Sequence, residues 1–269
     1  MYRRGATLQL LMLLVTAPLA WGAEHPSLVK ARALYNAADY DAAISAATVA
    51  RADPVSADAS ALVVARSHLE RHRLRLDPGD LVAAREALSA IRPATLSPRD
   101  HVDLLVGLGQ ALYLGETFGA AAELFDTALS QSSLLGARDR LLLLDWWATA
   151  IDREAQKRSA DRRAPLLEGV IARMEEELRR DPGNAAANYW LAVSARGAGD
   201  IDRAWHAAVA GWIRAMLTPE TAAALRSDLD RLVTQALIPE RARTRPAREQ
   251  PEAAAALRAE WDAVKSQWP

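Results

Sequence analysis

Residues 109–128 read GQALYLGETFGAAAELFDTA, and the spacing of their small residues decides the fold. Small residues stand at Gly109, Ala121 and Ala128, with gaps of 12 and then 7 positions between them. The same two gaps recur in two other places, at Ala31, Ala43 and Ala50 and at Ala192, Ala204 and Gly211. The separation of packed helices depends on the side chains at their contact, and small ones allow a close approach. The spacing therefore predicts a repeated pair of antiparallel helices.

Short turns and prolines mark the ends of these predicted helices. The turns 38–40 and 199–201 each contain an Asp and separate a first helix from a second one. Pro54 and Pro182 follow second helices, because proline cannot continue a helix and disfavours helix in the residue before it. The sequence thus predicts three regular helix-turn-helix units.

Two further units are irregular. Between Ala65 and Ala84 the gap is 19 rather than 12, which predicts seven extra residues in the turn around residues 76–79. Residues 137–158 and 165–180 predict two long helices, joined by the polar stretch SADRR that begins at Ser159. Residues 23–217 would therefore hold about five units.

The composition agrees with a helical chain. Alanine and leucine supply more than a third of the residues, aromatic residues only 6%, and cysteine is absent. Alanine and leucine favour helices, whereas the residues that favour strands are scarce, which argues against an all-β fold. A formal net charge of −1 with 25% charged residues argues against a nucleic-acid partner.

The units resemble the tetratricopeptide repeat family, whose helix-turn-helix unit has about 34 residues. The resemblance covers residues 24–54, 100–133 and 184–217 best. It implies an all-α fold, namely a tetratricopeptide-like right-handed αα-solenoid with extra C-terminal helices. In such a solenoid the first helix of each unit lines a concave groove, which binds a protein or peptide partner. A different αα-solenoid is the alternative.

The resemblance also implies which side chains face that groove: Arg32, Tyr35, Asn36, Arg66, Glu70, Gln110, Tyr113, Tyr189 and Arg196. Tyrosine and arginine often dominate protein interfaces, although any arginine-rich helix also carries arginine on its solvent side. Trp146 and Trp147 are adjacent and cannot both face one core, so their helix is a second candidate partner surface.

The N-terminal residues 1–22 read MYRRGATLQLLMLLVTAPLAWG and have the pattern of a secretory signal peptide. Arg3 and Arg4 precede an apolar run, and Ala20 and Gly22 place small residues where a signal peptidase reads. We expect cleavage after Gly22 and an exported, periplasmic protein without a membrane span after that cleavage. An uncleaved N-terminal anchor is the alternative.

The C-terminal region departs from the repeat. Residues 218–238 predict one more helix, with Thr218 as its N-cap, and the Arg- and Pro-rich residues 239–251 predict a linker. Residues 252–269 predict an amphipathic helix with Leu257, Trp261, Val264 and Trp268 on one stripe. This helix would cap the last face of the array, dock on a partner, or mediate self-assembly.

No catalytic motif or metal site emerges from the sequence. His68 and His72 share a helical face but lack further ligands, and Asp228 and Asp230 occupy helix-surface positions. The sequence therefore predicts a protein that is not an enzyme, with no catalytic residue, metal or cofactor: a cell-envelope scaffold or adaptor for a protein or peptide. The alternative is a glycan-processing or glycan-binding envelope protein, which carboxylates clustered with tryptophan in a concave pocket would favour. The oligomeric state stays open.

Overall fold

The computed structural model describes residues 24–269, in which all regular structure is helical. The predicted signal peptide, residues 1–22, lies outside the described residues. None of the helices between residues 24 and 269 combines the length and the apolar character needed to span a bilayer. The prediction of an all-α fold is confirmed for this part of the chain.

Thirteen α-helices follow one another along the described residues. They are α1 (Pro26–Asn36), α2 (Tyr40–Ala50), α3 (Ala57–Arg75), α4 (Pro78–Ser89), α5 (Pro98–Leu114), α6 (Phe118–Ser130), α7 (Ala137–Gln156), α8 (Ala160–Arg180), α9 (Ala185–Gly197), α10 (Ile201–Arg214), α11 (Pro219–Leu232), α12 (Ile238–Ala242) and α13 (Gln250–Gln267). A π-helical turn, Val233–Leu237, joins α11 to α12.

Side-chain caps explain where several of these helices begin. Asp39, Ser97, Asn184 and Asp200 each accept a hydrogen bond from a backbone N–H in the first turn of the helix that follows. Such caps satisfy N–H groups that have no partner within the helix, and each is worth about 1 kcal/mol.

Consecutive helices pack side by side, and the small residues of the 12-and-7 pattern lie where they cross. All nine of these residues are buried, from Ala31 in α1 to Gly211 in α10. A Cβ atom added to Gly211 would lie 3.1 Å from the Cβ atom of Asn188 in α9. The sequence pattern therefore identified the positions that set the helix separation.

The three regular units share one turn geometry. Ala38, Glu116 and Gly199 all have a left-handed backbone, with φ of 60°, 59° and 88°. The backbone N–H of the next residue then bonds a carbonyl five positions back, in the pairs Asp39–Leu34 (3.0 Å), Thr117–Leu112 (2.9 Å) and Asp200–Ala195 (2.9 Å). These bonds form the Schellman ending of a helix, so the sequence repeat is also a backbone repeat.

The unit of α3 and α4 differs from the prediction of a longer turn. Helix α3 continues to Arg75, and only Leu76 and Asp77 separate it from α4. No glycine or proline interrupts residues 57–75, so the extra residues extend the helix instead of the turn.

The helices form two layers. In the odd-numbered layer α1 contacts α3, α3 contacts α5, α7 contacts α9 and α9 contacts α11. Within the described chain, no contact of similar extent joins α2 to α4 or α8 to α10, and a groove opens between the members of each of these pairs. In helical repeat arrays one layer of helices lines a concave binding surface, and the resemblance to such arrays assigns the odd-numbered layer to that surface. We call the exposed side of the odd-numbered helices the concave face.

Helix α11 continues past the end predicted at residue 238. It passes through the π-helical turn into α12 and ends at Ala242, within the segment predicted as a linker. Pro239 lacks an N–H and its ring clashes with the preceding turn of an α-helix. The wider π-helical turn accommodates it.

Helix α13 closes the end of the array through a tryptophan cluster. Trp261 is fully buried, and its ring centroid lies 6.3 Å from that of Trp205 and 5.3 Å from that of Trp212, both in α10. The indole N–H of Trp261 donates a 2.8 Å hydrogen bond to Asp230 of α11, and Lys265 donates one of 2.9 Å. Helix α13 thus covers apolar side chains of α10.

Candidate functional site

In the N-terminal half of the concave face, arginines pair with aspartates of the neighbouring helices. Arg32 of α1 donates a 2.8 Å hydrogen bond to Asp100 of α5, and Nη1 of Arg66 in α3 lies 3.1 Å from Oδ1 of Asp103 in α5. Arg99 of α5 continues the series, because its Nη2 atom lies 2.7 Å from Oδ2 of Asp139 in α7. The predicted groove residues Arg32 and Arg66 are therefore engaged in holding the odd-numbered helices together.

Tyr35 lies beside this series of ion pairs. The guanidinium carbon of Arg66 is 4.8 Å from the centroid of the Tyr35 ring, a cation–π distance. Burial raises the pKa of the Tyr35 hydroxyl. Glu70 accepts a 2.9 Å hydrogen bond from Arg73 of its own helix, and Asn36 is exposed. The structure thus brings Tyr35 and Arg66 into contact.

Gln110 and Tyr113 of α5 are less accessible than a groove position would suggest. Gln110 is only 5% exposed, and its Oε1 atom has no hydrogen-bond partner among the described residues. Tyr113 packs between Phe118 and Trp146, with a centroid distance of 5.1 Å to each ring. Tyr113 therefore links α5 to α7.

Trp146 and Trp147 divide between two environments. Trp146 is partly buried against Tyr113 and also lies 5.9 Å from the ring centroid of Phe125. Trp147 belongs to the core, is 8% exposed, and has the guanidinium of Arg173 at 5.2 Å over its ring. A partner that touches this helix would meet Trp146 before Trp147.

In the C-terminal half of the concave face, the described carboxylates form no ion pair with an arginine of a neighbouring odd-numbered helix. Asp145 of α7 accepts a 2.8 Å hydrogen bond from the indole N–H of Trp190. Asp152 accepts one of 2.6 Å from Gln156 of its own helix, and Asp228 of α11 accepts one of 2.9 Å from Arg231 of its own helix. Among residues 24–269, neither Asp145 nor Asp152 forms an ion pair. We call these three aspartates and Tyr189 the acidic cluster.

The groups of the acidic cluster influence one another's pKa values. Burial raises the pKa of the Asp145 carboxyl, and the charge of Asp228 raises it further. Burial also raises the pKa of the Asp152 carboxyl. The pKa of the Tyr189 hydroxyl is raised first by burial and then by the charges of Asp228 and Asp145. Ionised carboxylates at this place repel one another, and a bound cation would relieve that repulsion.

Arg196, the last of the predicted groove residues, is engaged at one end of this cluster. Its Nη2 and Nε atoms donate hydrogen bonds of 2.7 Å and 3.0 Å to Glu240 of α12. The arginine that lies nearest in sequence to Tyr189 on α9 is thus paired with a carboxylate outside the cluster.

The histidines of α3 have separate partners. Nδ1 of His68 lies 2.7 Å from Oδ1 of Asp80, and Nδ1 of His72 lies 2.6 Å from the carbonyl oxygen of Asp77. Within the described part of the chain, no group of three or more His, Cys, Asp or Glu residues is arranged to hold a metal ion.

The sequence analysis missed Asp145 and Asp152 as candidate site residues. Acidic side chains on a helix are common, and neither residue lies in a recognised motif. The usable signal was their spacing of seven positions, which places both on one face of α7, together with the assignment of α7 as the first helix of a unit.

Comparison of the sequence with protein-family models gives no match, and comparison with curated proteins gives none either. The resemblance to the tetratricopeptide family therefore stays a prediction.

Proposed function

We propose that the protein is a non-catalytic scaffold or adaptor of the cell envelope, built as a tetratricopeptide-like right-handed solenoid. Its partner is a protein segment rich in lysine or arginine, which lies in the C-terminal half of the concave face. The observation that carries the proposal is the acidic cluster, whose aspartates form no ion pair with a neighbouring odd-numbered helix within the described residues.

The contrast between the two halves of the concave face supports this choice. In the N-terminal half, Arg32, Arg66 and Arg99 are each paired with an aspartate of another helix. In the C-terminal half, Asp145 and Asp152 form no ion pair among the described residues, and the pKa values of both carboxyls are raised. Carboxylates that form no ion pair within the fold, as Asp145 and Asp152, are suited to cationic side chains from another molecule.

The envelope location rests on the signal-peptide pattern of residues 1–22. The use of the groove for a protein segment rests on the layered helix pairs. In helical repeat arrays, stacked helix pairs create extended concave binding surfaces.

In-cell photocrosslinking from position 189 tests the proposal. A photoreactive phenylalanine analogue replaces Tyr189, and the control places the same analogue at Thr127, which is exposed on α6 of the outer layer. We expect mass spectrometry to recover one partner segment rich in Lys and Arg from position 189 alone. Asp145→Asn combined with Asp228→Asn should reduce that crosslink at least about tenfold. Crosslinks to segments without basic residues, or equal yields from both positions, would contradict the proposal.

A second candidate function is the binding or hydrolysis of a glycan. The contact between the Asp145 carboxyl and the Trp190 indole N–H, with the raised pKa of Asp145, favours it. A sugar ring, however, needs an open aromatic face, and Trp190 is only 8% exposed. Purified cell-wall glycan incubated with the protein distinguishes the two functions. Release of soluble fragments that Asp145→Asn abolishes would favour the glycan function, and no release is expected of a scaffold.

A further inference from the structure

A second groove lies on the outer layer, between α8 and α10, with α9 as its floor. Its volume is about 570 Å³, within the range of ligand-binding pockets. Leu178, Leu191 and Ala210 provide apolar lining, and Arg179, Arg203 and Arg214 bring positive charge to the same lining. We call this the α8–α10 groove. It opens on the side of the array opposite to the concave face.

The shape of the α8–α10 groove suits a helix. The lining residues of α10 run from Arg203 to Arg214, and His206, Ala207 and Ala210 fall between them on one stripe. Eleven residues of rise give the α10 side of the groove a length of about 16 Å, or three helical turns. A helix that binds in such a trough presents apolar side chains at every third or fourth position.

The charges of the groove select the partner's chemistry. Arg179 pairs with Glu176 of its own helix at 2.7 Å, and Arg203 pairs with Glu175. Arg214 donates to the neutral side-chain amide of Asn188 and forms no ion pair among the described residues. Glu175 and Glu176 of α8 thus balance Arg203 and Arg179, and Arg214 supplies the positive charge in the groove lining that has no carboxylate partner among the described residues.

The corresponding groove between α2 and α4 lacks these properties. Its volume is about 330 Å³, and its lining contains one arginine, Arg51, and one glutamate, Glu86. Of the two grooves, the α8–α10 groove is the larger, and its lining includes Arg214, which has no ion pair among the described residues. The smaller groove therefore provides a matched control.

We propose that the α8–α10 groove binds an amphipathic helix of a partner protein, with acidic side chains beside its apolar stripe. This site goes beyond the concave face, because it lies on the other layer and selects the opposite charge. The protein would then join two partners, one with a basic segment and one with an acidic helix.

A library of displayed helices of about four turns, with randomised surface positions, tests the proposal against the full chain. We expect the selected helices to combine an apolar stripe with flanking Asp or Glu. Ala210→Trp, which fills the groove, should weaken their binding at least about tenfold, whereas Ala83→Trp in the smaller groove should not. Arg179→Glu should likewise weaken binding of the selected helices, whereas its control Arg51→Glu in the smaller groove should not. Both substitutions change the charge at an exposed position.

Circular dichroism and urea unfolding verify that the variants fold. Selected helices that carry Lys or Arg beside the stripe, or that bind Ala210→Trp as well as the original chain, would overturn the proposal. Displacement of every selected helix by myristate, a long-chain carboxylate, would also overturn the proposal, because the natural ligand of the groove would then be a small amphiphile. Pairing of two copies through this groove, detected by light scattering and abolished by Ala210→Trp, would also overturn it.

Discussion

Gly109 of α5 and Phe125 of α6 are in contact so close that a Cβ atom on Gly109 would lie 2.5 Å from Cε1 of the Phe125 ring. The ring is fully buried. The distance between these two helices is therefore set by a missing side chain, at the first position of the pattern that repeats along the array.

Gly109→Ala should lower the free energy of unfolding by about 1–3 kcal/mol, because the added methyl group overpacks the contact with Phe125. Gly169→Ala is the matched control: Gly169 lies inside α8, and nothing lies within 4 Å of an added Cβ atom. The control should gain about 0.5–1 kcal/mol from helix propensity. Urea unfolding measures both, and changes of the same sign would contradict the packing argument.

The left-handed turn residues predict a second pair of opposite effects. Ala38→Gly should raise the free energy of unfolding by about 0.5–1 kcal/mol, because glycine adopts positive φ without steric cost. Gly199→Ala should lower it by about 1 kcal/mol for the same reason. Ala37 has φ of −83°, so Ala37→Gly is the control and should lower stability. Equal effects of glycine at positions 37 and 38 would be evidence against this account.

The tryptophan cluster predicts how firmly α13 is held. Trp261→Ala should cost about 3–5 kcal/mol in the free energy of unfolding, since it removes a fully buried aromatic side chain. Trp268→Ala removes an exposed indole and keeps the backbone carbonyl that accepts a 2.9 Å hydrogen bond from Trp212. It should cost less than about 1 kcal/mol. A thermal unfolding curve that shifts equally for both variants would not fit this arrangement.

Removal of the negative charge of Asp145 should raise the free energy of unfolding. Burial, and then the charge of Asp228, raises the pKa of Asp145 above its unfolded value, so the fold favours the protonated form. That contribution is present below the unfolded pKa and is lost as pH rises through the folded pKa. Asp145→Asn should therefore stabilise the protein at neutral pH and change little at acidic pH.

Asp103 provides the control, because its carboxylate is paired with Arg66 and Arg99. Asp103→Asn should destabilise the protein at neutral pH. Urea unfolding at neutral and acidic pH compares the two variants. Destabilisation by Asp145→Asn at neutral pH would mean that Asp145 serves the fold rather than a partner.

The sequence predicted the helix pairs well, because the small residues carry direct information about helix separation. Ala31, Gly109 and Ala192 belong to the pattern, and all lie in buried crossings. The length of α3 was not predictable from spacing alone, since an interval between two alanines does not say whether helix or turn fills it.

The candidate site was less accessible to sequence reasoning. Tyr189 was identified from its position in the repeat, but the partners of Arg32 and Arg196 depend on side chains 68 and 44 positions away. Ion pairs of this kind decide which charges the fold uses itself. They depend on how helices are placed relative to one another, which no local pattern encodes.

The closure of the array by α13 limits how such a protein can lengthen by duplication of helix pairs. A pair added after α10 would have to displace Trp261 from its place between Trp205 and Trp212. A helix pair inserted between α6 and α7 would pack against an existing helix pair on each side. Growth of the array at its C-terminal end is therefore hindered, whereas an internal insertion would leave the C-terminal helices unchanged.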